Sequence, residues 1–160
     1  GIGVHKPPRV YGAFPTDPYS HTPLGKGAQQ PGMTGQVKED ILSRFAELGV
    51  TLRNGRLSFA PVLLRRNAFL EQLPPTEFVD VQGNMRQLPA AAQALLFTYC
   101  QVPVVYSLQK AEGMEIHRTD GTVRQRSRTE LTTSETSELM GRTGAISHIQ
   151  VYLGAAPALC

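Results

Sequence analysis

The chain has 160 residues, 18% of them charged, and a formal net charge of +3. That length can bury a real core in one ordinary domain, so folding needs neither a disulfide staple nor a structural metal. The charged fraction is below average, and Arg53, Arg56, Arg65, Arg66, Arg118, Arg124, Arg126 and Arg128 are spread through expected strands and turns instead of forming one aromatic-interleaved run, which argues against a nucleic-acid partner.

Taken in chain order, the first stretch, from Gly1 to Met33, sustains no helical or strand period. Pro7, Pro8, Pro15, Pro18, Pro23 and Pro31 alternate there with Gly12, Gly25, Gly27 and Gly32, which reads as a long loop. Tyr11, Phe14, Tyr19 and Met33, with Asp17, His21, Gln29 and Gln30, are not the residues of a flexible linker. A loop of that kind is expected to be functional or to pack against another part of the same protein. The start at Gly1 in place of Met fits either a trimmed chain or a piece of a longer one.

A helix is expected next, capped by Thr34, with Glu39 and Asp40 near its positive end and Gly49 as its left-handed stop. Val37, Ile41, Leu42, Phe45 and Leu48 fall on one face at helical spacing. Residues 50–59 read as a hairpin, because Asn54-Gly55 supplies the two positive φ angles of a type I′ turn. Residues 60–76 read as an apolar connection lying across the core. Strands are expected near 77–81, 85–88, 94–100, 102–109, 113–119 and 122–128, with turns at Gly83-Asn84 and Asp120-Gly121. A short helix from about Glu135 to Arg142, capped by Ser134 and stopped at Gly144, precedes a last strand from Ile146 to Leu153. The fold class is therefore α+β and mostly β: an irregular N-terminal loop and one amphipathic helix, then a small antiparallel sheet or sandwich with one short helix. The expected division is 1–49, loop and last helix of a preceding domain, and 50–160, a β-rich C-terminal domain.

No stretch approaches the roughly 18 apolar residues of a membrane span, and no charged start leads into an apolar signal segment. A soluble protein without a membrane partner is expected, and few cysteines with no signal favour the cytoplasm. Cys100 and Cys160 make neither a metal-ligand spacing nor a disulfide framework, and Cys100 reads as a buried, inert thiol.

The search for chemistry excludes more than it finds. There is no Gly-x-Ser-x-Gly elbow, Walker loop, dinucleotide-binding glycine motif or His-Glu-x-x-His, so no cofactor or metal is expected. His117 and His148 read as ordinary sheet residues, and Glu115 and Asp120 as exposed hairpin carboxylates. The exception is the loop Tyr11-Gly-Ala-Phe-Pro-Thr-Asp-Pro-Tyr-Ser-His-Thr-Pro23, which runs on to Gly27-Ala-Gln-Gln-Pro-Gly-Met-Thr-Gly-Gln-Val-Lys38. Planar amides, aromatics, a carboxylate and an imidazole on a stiffened backbone suit sugars, whose hydroxyls need polar partners while their C–H faces lie on rings. A rigid loop whose polar groups satisfy its own backbone accounts for the same residues.

This loop and its helix resemble the final active-site loop and last helix of a six-hairpin (α/α) barrel glycosidase or a cellobiose phosphorylase-like protein, in which a small β-rich domain follows the barrel. Specific matches are confined to the stretch from about Tyr11 to Glu39. The resemblance implies that Asp17, Tyr19, His21, Gln29 and Gln30 line a sugar pocket, with carbohydrate and the remainder of the parent chain as partners. Such barrels are far longer than this chain and carry their acid and base on earlier loops, so no catalytic role is carried over. The expected function is that of a C-terminal fragment of a glycoside hydrolase or phosphorylase, not catalytically complete. The alternative is a self-contained, non-enzymatic β-rich binding or structural module.

Overall fold

The computed structural model describes residues 41–108 and 111–154, and the chain divides into two compact units, Gly1–Ser43 and Arg44–Cys160. The proline- and glycine-rich loop, the Thr34 cap, and Val37, Glu39 and Asp40 of the expected helix lie outside the described residues. Residues 41–47 are helical (α1). The helix stops where expected, with Gly49 at φ +63°. A Cβ at that position would lie 2.2 Å from the carbonyl carbon of Ala60, so glycine is required there for space as well as for backbone angle.

The Asn54-Gly55 hairpin forms as the sequence predicts. Strands β1 (Val50–Arg53) and β2 (Arg56–Phe59) pair antiparallel in register Val50↔Phe59 to Arg53↔Arg56, across Asn54 at φ 50° and Gly55 at φ 73°. Residues 60–76 differ from the expected connection. They contain a 3-10 turn, Arg66–Ala68, and a further strand, β3 (Leu70–Leu73). Because β3 is an edge strand with one buried residue, Leu73, its sequence lacks the alternation that marks a half-buried strand.

Next come the hairpin β4 (Thr76–Val79) and β5 (Met85–Leu88), the long strand β6 (Ala91–Tyr99), β7 (Val102–Ser107), β8 (Gly113–Arg118) and β9 (Val123–Arg126). The short helix α2 (Thr133–Met140) and the last strand β10 (Ile146–Tyr152) complete the order. Six strands form one sheet in the order β3-β6-β7-β10-β8-β9, while β1-β2 and β4-β5 stand as separate two-stranded hairpins. The domain is mostly β, as expected, but the large sheet is mixed. The last strand inserts between β7 and β8, parallel to β7 and antiparallel to β8.

All six residues of β7 are buried, which means both faces of the sheet are covered at its centre. On one face, Val102, Val104 and Tyr106 join Met114, Ile116, Ile149 and Val151 under Leu57 and Phe59 of β2 and Leu139 of α2. Tyr106 sits between Phe59 and Phe97 in edge-to-face contacts with centroids 6.3 and 5.0 Å away. Its phenol donates to the carbonyl of Leu48 at 2.5 Å, so the ring is buried with its polar end satisfied. On the other face, Leu73, Leu88, Ala94 and Val105 form a smaller cluster with Phe78 and Leu96.

Helix α2 is capped by Thr132, two residues before the expected Ser134. The Thr132 hydroxyl accepts from the Glu135 amide at 3.2 Å, and the Glu135 carboxylate accepts from the Thr132 amide at 2.9 Å. This reciprocal box needs a glutamate three residues beyond the cap, which places the cap at Thr132. The helix ends at Gly141, and the expected stop, Gly144, at φ +77°, follows it in the link to β10.

Candidate functional site

The polar residues of the sheet converge on its second face. Strand alternation sends Met114 and Ile116 into the main core and therefore Glu115 and His117 of β8 to the opposite side. In β10 the same alternation is interrupted, because Ile146 and Ile149 are both core residues three positions apart. A register shift between Ile146 and His148 resolves this. The bulge sets His148 directly opposite His117 and leaves Gln150 opposite Glu115, in keeping with the way bulges re-aim side chains.

The resulting geometry is a row. The imidazoles of His117 and His148 stack with centroids 4.1 Å apart and planes 13° from parallel. Nε2 of His117 lies 3.5 Å from Oε2 of Glu115. Tyr152 donates its hydroxyl to the same Oε2 at 3.0 Å, and Gln125 of β9 donates its amide to Oε1 at 3.2 Å. Glu115, 19% exposed at its side chain, is thus a half-buried carboxylate held from two sides, with lone pairs left over for a ligand. Residues 88–92 and Val105 supply an apolar wall, Ser107 and Gln150 further polar groups, and the open cleft they line measures about 300 Å³.

The electrostatics are set by burial. Desolvation, reinforced by the neighbouring His117 and opposed by Glu115, pushes His148 down to about 4. His148 is therefore neutral at pH 7, and Glu115 is the acidic side chain of the cleft wall. Such a cleft favours neutral hydroxyl-rich or cationic groups over anions.

Nucleophilic catalysis has no assembled apparatus among these residues. The Ser147 hydroxyl lies 3.4 Å from Nδ1 of His148, but that ring stacks on its neighbour and bonds no carboxylate among the described residues, so the nucleophile–base–orienter series is incomplete. Among the described residues no group of three or more His, Cys, Asp or Glu is placed to hold a metal ion.

Asp17, Tyr19, His21, Gln29 and Gln30, the sugar-pocket residues expected from the sequence, lie outside the described residues. Of the two carboxylates read as exposed hairpin residues, Asp120 is one: it accepts from the Thr122 hydroxyl and amide at 2.6 and 2.9 Å, closing its own turn. Those two bonds lower its pKa. Glu115 is not, since it forms the centre of the row. Nor is Cys100 buried within a strand; it occupies the β6–β7 turn, half-buried, at φ 49°. Sequence reasoning passed over the site although it carries a signal. Glu115-x-His117 and His148-x-Gln150-x-Tyr152 repeat polar groups at the strand period in segments whose alternate residues are core.

No protein-family model matches the chain, and no curated protein matches it. Among the described residues no helix is long and apolar enough to cross a membrane.

Proposed function

We propose that the Arg44–Cys160 unit is a non-catalytic binding domain and that the cleft between β8, β10 and residues 88–92 takes a carbohydrate. The observation that carries this reading is the Tyr152–Glu115–His117 row facing a concavity of about 300 Å³. A carboxylate with spare lone pairs accepts sugar hydroxyl protons, and the Gln150 amide can both donate and accept. Alanine, proline and imidazole surfaces offer apolar area for a C–H face. Calorimetric titration of the protein with a panel of mono- and oligosaccharides tests it. Glu115→Gln is expected to weaken the best ligand about tenfold, as loss of a charge-assisted hydrogen bond does, while leaving the fold intact. Equal affinity of Glu115→Gln and wild type would count against the assignment.

A second reading has its own support. A helix ending at a left-handed Gly49, followed directly by a small, mostly β domain, is the element order expected of the closing part of a six-hairpin (α/α) barrel glycoside hydrolase or phosphorylase. On that reading Asp17, Tyr19, His21, Gln29 and Gln30 add sugar contacts to a parent enzyme whose catalytic pair lies elsewhere. Double substitution of Asp17 and His21 by alanine is then expected to weaken sugar binding without altering the unfolding midpoint of the β domain.

A further inference from the structure

A second concavity, of about 350 Å³, lies on the other side of the sheet's β9 edge, walled by Arg56, Arg126, Arg128, Ser127, Thr132 and Glu130. Three guanidiniums face one carboxylate there. Arg56 uses a single Nη on Glu130, at 2.9 Å. Arg126 uses Nη2 on the two oxygens of Glu135, at 2.8 and 3.0 Å, and its Nε has no hydrogen-bond partner. Arg128 enters none of the ion pairs formed among the described residues. Since each guanidinium carries five donors, most of the donors in the wall remain unspent. Counting the groups behind the wall does not cancel the charge: adding Arg124 and Glu135 gives four guanidiniums against two carboxylates.

We infer that this concavity binds a small tetrahedral oxyanion of the phosphate or sulfate type. A planar carboxylate matches one guanidinium fork, whereas forks arriving from three chain segments, the start of β2, the end of β9 and the link to α2, match an anion with oxygens in several directions. Ser127 adds a hydroxyl on the same wall. The site has the opposite charge preference to the Glu115 cleft and adjoins it through Gln125, which lines this concavity and donates its amide to Glu115.

The test is a backbone and arginine Nε–Hε NMR titration of the whole chain with inorganic phosphate, sulfate and glycerol phosphate, against acetate and chloride at matched ionic strength. Saturable shifts at Ser127, Arg128 and the Arg126 Nε–Hε are expected with the tetrahedral anions and not with chloride or acetate. Arg128→Ala, at an exposed link position, is expected to weaken binding about tenfold. Arg53→Ala, an exposed arginine outside the wall, is expected to change it less than twofold. Equal affinity for phosphate and glycerol phosphate would assign a free anion, and tighter glycerol phosphate a phosphorylated organic ligand; both support the site. Shifts that track ionic strength alone, an equal response to acetate, or identical losses in Arg128→Ala and Arg53→Ala would overturn it.

Discussion

Glu135 is 1% exposed and nonetheless ionised. Burial alone would raise its pKa, but the Thr132 amide and hydroxyl and the Arg126 guanidinium outweigh burial and hold it at about 2. Removing such a carboxylate leaves Arg126 and the helix start without their partner, so Glu135→Ala is expected to cost about 3–5 kcal/mol in urea unfolding. The pH dependence has a definite sign. A carboxylate lowered from 4.5 to about 2 contributes stability that is present above pH 4.5 and lost as pH falls toward 2. His148 acts over a higher window in the same direction. Its pKa falls from 6.5 in the unfolded chain to about 4 in the fold, so between those values the unfolded state binds more protons and acidification destabilises the native state, by up to about 3 kcal/mol. His148→Gln is expected to flatten the stability profile between pH 6.5 and 4, as read from urea midpoints at several pH values. An unchanged slope would show that His148 is not the titrating group.

At the scale of elements, what the sequence displayed depended on local chemistry. The β1–β2 hairpin was legible because Asn54-Gly55 is suited to two consecutive positive φ angles. The β6–β7 hairpin needs the same geometry and uses Cys100 at φ 49° and Gln101 at φ 69°, residues that carry no turn signal. Gln101 is retained by its side chain, which donates to the Asp80 carbonyl at 3.2 Å and accepts from Arg142. Cys100 has no comparable role in the turn, so Cys100→Asn, which adopts the left-handed region more readily, is expected to raise stability by about 0.5–1 kcal/mol. Thermal or urea unfolding of the variant checks this. Pro103 shows why a proline can sit in a central strand. Its pairing partner on one side is Thr98, and β10 begins to pair with β7 only at Val104, so the missing N–H leaves no gap in the ladder.

At the scale of the molecule, most strand positions were readable from alternation and turn residues, but the edge strand β3 and the strand order were not. Nothing local in Ile146–Tyr152 specifies that the last strand inserts between β7 and β8, since that placement is decided by which apolar faces remain uncovered. The candidate cleft depends on that insertion, because it brings His148, Gln150 and Tyr152 beside Glu115 and His117. The row was hidden in sequence for this reason, although each half of it had a visible period. The main core is drawn from residues between Leu48 and Val151. A chain of residues 44–160 is accordingly expected to unfold in a single cooperative urea transition, with circular dichroism and fluorescence midpoints coinciding. Separate midpoints would show that this unit lacks a core of its own.

The most direct test of the binding assignment is a two-dimensional amide NMR titration of the whole chain with the oligosaccharide panel. The account predicts saturable shifts concentrated at Glu115, His117, His148, Gln150, Tyr152 and the facing residues 88–92, lost together in Glu115→Gln. Sugar-dependent shifts elsewhere with none on β8 or β10, or no response to any sugar, would contradict it.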